Sequence, residues 1–332
     1  MTPSKRSIVF HNQPVITAWV SVAGKKEAEG PLASYYDTTS KDSYFGKKTW
    51  EQAEQHMQEL ALQKLKEKSN LDAVDIVFSG DLLNQCIGSS FTLRNTSIPH
   101  IGLYGACSTM AESLMLAAMN VNAGYFSKAV AMTSSHFASS ERQYRFPLGY
   151  GGQRTPTAQW TVTGSGAALV SASGSGPKIE SCTIGTVVDL GITDANNMGA
   201  AMAPAAFDTI RSHFQDLNKS IDDYDLIITG DLGQLGKDSL LVLAQQEGFP
   251  LGGKLCDCGT MVFDLLKQDV HSGGSGCGCS AITLCGYLLN KLNSKKLKRI
   301  LFCGTGALLS PTSTQQGLPI PGICHAVSII GG

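Results

Sequence analysis

Cys107 sits where an apolar stretch, residues 98–104, runs through Gly105-Ala106 into a helical pattern. Ala111, Leu114, Met115, Ala118 and Val121 recur at spacings of three and four, which predicts a helix over 108–123. Glu112 is the one charged residue in that window, so the helix is buried on all sides rather than amphipathic. The thiol therefore lies at a helix start, where unpaired N–H groups and the helix dipole favour an anion or a thiolate. Two chemistries suit that position: an acyl-accepting nucleophile, and a carboxylate-binding site that makes no covalent bond. The bland reading is a small apolar residue at a tight turn.

Other residues of chemical interest surround this one in type and spacing. Asp81 and Asp231 each close an apolar run with Gly-Asp. Strand ends in α/β sheets face crevices, which makes Asp81 a site residue, while Asp231 reads better as a cap on the helix behind it. Gly276 and Cys277 open a second low-charge helix behind a glycine-rich turn, 273–278. That turn lacks the Lys-Ser/Thr of a phosphate loop, so neither a nucleotide nor any other cofactor is expected. His136 follows a strand, and Arg142, Arg145 and Arg154 crowd the next stretch together with Tyr144, Phe146 and Tyr150. Arginine pairs bidentately with carboxylates and aromatic rings stack on flat ligands; the competing reading is a covering or dimer-contact loop. His271, next to the glycine-rich turn, reads as a surface-loop histidine. Cys256/Cys258 and Cys277/Cys279 are C-x-C pairs without the usual zinc spacing, and no metal site is expected from them. Cys86, Cys182, Cys285, Cys303 and Cys324 read as core thiols.

The elements that must hold these residues occur twice. Extended segments at 7–10 and 15–22 lead to a loop and then a helix from Trp50, for which Thr49 and Gln52 form a capping box. A strand at 74–82, a helix at 84–92, the 98–104 strand, the Cys107 helix and a strand from Lys128 follow. Beyond residue 200 comes a helix through Phe207, Ile210 and Phe214, then a strand at 224–232 with the same Asp, apolar run and Gly-Asp-Leu. Lys128 follows Cys107 at the same spacing as Lys298 follows Cys277, and the second copy carries its extra residues mostly in 252–272. A repeated order of this kind implies duplication, with halves at 1–172 and 173–332. Alternating helices and apolar strands imply largely parallel sheets covered by helices, with 161–171 and 323–330 as antiparallel closing strands.

Composition bounds the partners. The net charge is −1 and there is no basic run, which argues against nucleic acid or a polybasic membrane anchor. No apolar run approaches a membrane span, and residues 1–30 lack the apolar core of a signal peptide. Ten cysteines in such a chain point to reduced thiols.

The duplicated halves, Gly-Ala-Cys at the start of a central helix, and Gly-Ser-Gly-Ala-Ala-Leu-Val at 164–170 resemble the thiolase superfamily. The stretches 80–85, 133–136, 141–147, 189–194, 202–206, 273–280 and 305–312 are similar to its dipicolinic-acid-binding branch from spore-forming bacteria, over about residues 8–330. The resemblance implies a five-layer α-β-α-β-α thiolase-like α/β fold and a homodimer pairing along 98–104. It implies a non-enzymatic component of the spore inner-membrane system that loads dipicolinate into the forespore and releases it at germination. Such a component sits peripherally at that membrane through other proteins of the channel complex. Cys107, His136, Asp81, Arg142, Arg145, Gly276 and Cys277 are then the expected ligand-binding set. Should calcium accompany the ligand, Asp81, Asp189 and Asp194 offer oxygens. Condensing enzymes of the superfamily draw His and Asn, or two His, from loops of the second half. The matching stretches here, 229–233 and 273–276, hold no histidine, which argues against carbon–carbon condensation. The alternative is an acyltransferase or thioesterase with Cys107 as its nucleophile.

Overall fold

Strand pairing preserves the duplication that the sequence repeats. The computed structural model describes residues 5–69, 73–144 and 153–332. The chain opens with β1 (Ser7–Val9), β2 (Val15–Ala23) and β3 (Thr38–Thr39). Next come α1 (Trp50–Ser69), β4 (Ile76–Gly80), α2 (Ile87–Leu93), β5 (His100–Gly102) and α3 (Thr109–Asn122). They are followed by β6 (Lys128–Ser135), α4 (Phe137–Tyr144), β7 (Trp160–Thr161) and β8 (Gly164–Ser171). The second series is β9 (Lys178–Thr183), α5 (Met198–Leu217), β10 (Leu226–Thr229), α6 (Gly233–Gln246), β11 (Leu255–Asp257) and α7 (Cys258–Val262). It ends with β12 (Gly274–Ser275), α8 (Cys277–Thr283), α9 (Leu289–Asn293), β13 (Arg299–Ala307), α10 (Pro311–Gln315) and β14 (Gly322–Ile330).

The strands run β5-β4-β6-β8-β2 in one series and, element for element, β11-β10-β13-β14-β9 in the other, with β2 beside β9. In each series the first three strands are parallel and the last two antiparallel to their neighbours. The two series join at the pair Val15–Lys178. Parallel strands need covered faces, and the helices supply the cover. α1 packs on β2, β8 and β6; α5 packs on β13 and β14, with α6 beside it. Between the sheets, α3 touches β4 and β6 on one side and β13 and β14 on the other, while α8 lies against β8, β6 and β2. These are the five expected layers. Met110, Ala111, Leu114, Ala117 and Ala118 of α3 are completely buried in the main core, which is why this helix tolerates no charge beyond Glu112.

Local details differ from expectation. The stretch 98–104 contributes three ladder residues, at the sheet edge beside β4. The helix foreseen from residue 84 begins as a tight turn, with Gln85 and Cys86 left-handed, before α2. Thr49 Oγ1 accepts from the Gln52 N–H (3.3 Å), but Gln52 Oε1 reaches the Lys48 N–H rather than closing the box. Among the described residues no helix is long and apolar enough to cross a membrane.

Candidate functional site

A cavity of about 60 Å³ lies where the two halves meet. Its walls come from Leu82 beyond β4, Ala106 and Cys107 before α3, and Ser140, Glu141 and Tyr144 of α4. Thr161 of β7, Met198 of α5, Ser275 of β12 and Ala307 of β13 also line it, with Ala195 and Leu309. The short parallel ladder of β7 and β12, which pairs Thr161 with Ser275, brings a wall of each half together. Cys107 follows Ala106, whose backbone is left-handed (φ 51°), in a tight turn leading into α3. Tyr144 lines the cavity, and its hydroxyl donates to the Leu82 carbonyl (2.8 Å).

Behind the Cys107 wall sits Asp231, fully buried. Its Oδ2 accepts from the Gly276 N–H (2.9 Å) and from the Ser275 hydroxyl (3.2 Å). Its Oδ1 accepts from the Thr305 hydroxyl (2.8 Å), and its charge acts on the Cys107 thiol. Burial raises the Asp231 carboxyl above its ordinary range while these donors pull it down. Burial, and then the Asp231 carboxylate, push the Cys107 thiol well up. A thiol beside a carboxylate keeps its proton, and the N–H at the opening of α8 is already used. At the start of α8 that N–H is thus satisfied from within.

The two Gly-Asp aspartates have exchanged the roles expected of them. Asp81 is buried but faces α2: it accepts from the Ser89 N–H and hydroxyl (both 2.8 Å) and from the Leu83 N–H (3.0 Å). It is a turn and helix-start ligand, not a wall of the cavity. Asp231 is released from capping because Asp257, at the end of β11, accepts from the N–H groups of Leu232 (2.8 Å) and Gly233 (3.0 Å) at the start of α6. The repeat was visible; which copy turns inward was not.

The remaining candidates are dispersed. His136 Nδ1 accepts from the Ala138 N–H (3.2 Å) and Nε2 donates to the Ser43 carbonyl (2.8 Å). Burial holds it below the usual histidine range. It lines a separate open groove of about 560 Å³ with Lys26, Trp50, Phe137 and Trp160. Arg142 is 46% exposed, pairs with Glu51 and lies over the Trp50 ring, away from Cys107. Arg145 lies outside the described residues, as do Phe146 and Tyr150. Gly276 adopts φ +96° and gives its N–H to Asp231, and Cys277 Sγ donates to the Ser134 carbonyl (2.9 Å) beneath the cavity. Arg154 pairs with Asp269 (3.0 Å), as does His271 (3.1 Å). Asp189 and Asp194 each accept from a backbone N–H two residues on. Among the described residues no group of three or more His, Cys, Asp or Glu is arranged to hold a metal. Ser140, which the motif reading passed over, is 2% exposed, lines the cavity, and has a hydroxyl with no partner.

With this geometry in view the comparisons are decisive about kinship. Residues 4–330 match the model of stage V sporulation protein AD. The chain belongs to that family. The Bacillus subtilis (strain 168) stage V sporulation protein AD is 44% identical over 325 residues, covering 97% of this chain and 96% of the relative. Among solved structures, Xanthomonas campestris OleA with bound cerulenin superposes with a TM-score of 0.61 at 13% identity, covering 99% of this chain and all of the other. The 3-oxoacyl-[acyl-carrier-protein] synthase III of Aquifex aeolicus gives 0.56 at 13% identity, covering 96% and 99%. At such identities these likenesses establish the thiolase-like fold and nothing about chemistry.

Proposed function

We propose that this protein binds dipicolinic acid without transforming it, within a membrane-associated transport assembly of the spore. The observation that carries the non-enzymatic part is the setting of Cys107, buried in a cavity wall whose described residues include no histidine. A nucleophilic thiol needs a base able to take its proton. Here burial and the Asp231 charge together disfavour a thiolate and outweigh the Gly276 N–H, so the thiol is pushed well up. Support for the ligand comes from membership in a sporulation family and from the cavity's place at the junction of the halves. A cavity of about 60 Å³ is well below the roughly 300–1,000 Å³ of ordinary small-molecule pockets. Dipicolinate binding therefore requires the cavity to widen.

Calorimetric titration of the whole protein with dipicolinate and its positional isomers tests this. Selective uptake of dipicolinate is expected, and Cys107→Ala changes affinity by less than about threefold, under about 1 kcal/mol. Mass spectrometry after incubation with an acyl-CoA should find Cys107 unmodified. An acyl adduct there moves the protein to the acyltransferase or thioesterase reading, and equal or absent binding of all isomers removes dipicolinate.

The assembly includes a second copy of this chain paired along β5. Ile101, 48% exposed, and Tyr104, 65% exposed, flank an edge with no described partner strand on its outer side. Sedimentation of the parent should give a dimer and of Ile101→Lys a monomer; a monomeric parent discards the pairing.

A further inference from the structure

Leu266 is 97% exposed, at the tip of a turn that holds it out firmly. Asp264 Oδ1 accepts from the Leu266 N–H (3.1 Å), and the Asp264 carbonyl accepts from the N–H groups of Lys267 (3.2 Å) and Gln268 (2.8 Å). Gln268 Nε2 donates to the Lys26 carbonyl (2.8 Å), which ties the turn to the groove lined by Lys25, Lys26, Tyr44, Trp50, His136 and Trp160. One exposed leucine is ordinary on a protein surface; its surroundings set this one apart. Lys25 and Lys26 in the groove, and Lys41, Lys47 and Lys48 in the stretch beside its Tyr44 and Trp50, make no ion pair among the described residues. Lys26 Nζ lies instead over the Trp160 ring, 4.1 Å from its centre, where its N–H groups stay free for an anion. The acids of this face are engaged. Glu51 pairs with Arg142, Asp264 with Lys267 (3.3 Å), and Asp269 with Arg154 and His271. Asp42 accepts from the N–H groups of Tyr44 (3.0 Å) and Gly46 (2.7 Å). Glu27 is buried, and burial pushes its carboxyl up to about 7. Among the described residues that leaves Glu29 as the unpaired exposed acid beside five free lysines.

The geometry points to direct seating of this face on an anionic lipid bilayer, with the lysines on headgroup phosphates, Leu266 in the acyl boundary and Tyr44 and Trp50 at headgroup depth. The lysines come from two separate stretches, 25–26 and 41–48, so no basic run shows in the sequence and the net charge of −1 conceals them. Charge decides the sign of the partner, and the shape of the apolar element decides its kind. A protein partner takes its anchors in a packed apolar centre walled off from water. Here a single leucine stands out from a cationic and aromatic surround, which a fluid acyl layer accepts without a matching pocket. Each lysine near an anionic membrane surface contributes by itself, whatever the arrangement of the lipids beneath it. Lipid thus joins any membrane protein among the contacts of this chain, independently of what the central cavity binds.

Flotation of the intact protein with lipid vesicles tests the seating. Vesicles of phosphatidylglycerol and phosphatidylcholine in equal parts should carry the protein upward at low salt, and pure phosphatidylcholine vesicles should leave it behind. Salt at about 1 M, which screens charges within about 3 Å, should release most of it. Lys25→Glu/Lys26→Glu should lower the partition coefficient by about tenfold or more. Leu266→Ser should lower it by about tenfold while keeping the salt dependence. Lys64→Glu/Lys66→Glu reverses the same charge on α1, about 20 Å along the helix from Trp50, and should bind as the parent does. Parental melting of all three variants shows that the fold is kept. Equal flotation with both vesicle types, undiminished binding of the Lys25/Lys26 and Leu266 variants, or an equal loss in the Lys64/Lys66 control overturns the inference. Absence of flotation with either vesicle also overturns it, returns this face to a protein partner, and leaves dipicolinate binding to its own titration.

Discussion

Asp257→Ala should lower the stability of this protein by about 3 kcal/mol or more, moving the melting temperature down by about 5 °C. Asp257 is fully buried and serves three elements at once. It accepts from the N–H groups of Leu232 (2.8 Å) and Gly233 (3.0 Å) at the start of α6 and from the Thr260 N–H (3.2 Å) in α7. It also accepts from the Thr229 hydroxyl (2.7 Å) in β10. Burial pushes its carboxyl up to about 7 against these donors. Alanine strands three backbone N–H groups, each costing about 1–3 kcal/mol when buried without a partner. It also frees the start of α6 to seek Asp231, which would disturb the Cys107 wall. Asp222→Ala is the control: that side chain is 89% exposed and paired with Lys254, and exposed pairs contribute little. Thermal melts that put the two variants within 2 °C of each other would refute this account.

Gly306→Val is expected to cost about 3 kcal/mol and to abolish ligand binding with it. A Cβ at this position of β13 would stand 2.6 Å from the Gly105 carbonyl oxygen and 3.0 Å from the Ser108 nitrogen, both backbone atoms. Neither can rotate away, so the tight turn that carries Cys107 must lift off the sheet. Gly304, two residues earlier on the same face, would bring a Cβ to 2.6 Å from that of Ala111. The first turn of the central helix is seated on bare backbone, and a side chain there acts on stability and site together. Gly253→Ala, opening onto empty space, should leave the melt and the titration unchanged. A Gly306→Val protein with parental melting and parental dipicolinate heat would show that the turn does not depend on this seat.

The residues differ in how far local sequence could place them. The buried character of α3 was readable because a helix in contact with two sheets must be apolar around its circumference, and that constraint is written in consecutive residues. The duplication was readable for the same reason. His136 and Arg142 could not be assigned. A histidine at a strand end and an arginine on a short helix take whichever partner the fold supplies, and here the fold supplies the Ser43 carbonyl and Glu51. Ser140 and Ser275 were equally hidden, since a serine shows its role only through the atoms opposite it.

What the sequence determined by itself was the repeated arrangement of helices and strands, a buried helix headed by Cys107, and the lack of histidine in the two loops of the second half. These follow from periodicity and residue type, which neighbours along the chain enforce. Tertiary structure alone decided that Asp231 turns inward and Asp81 does not. Both follow the same Gly-Asp, but Asp257 arrives from β11 to cap α6, whereas Asp81 must itself serve the start of α2. A carboxylate goes where its donors are, and those donors come from parts of the chain distant in sequence.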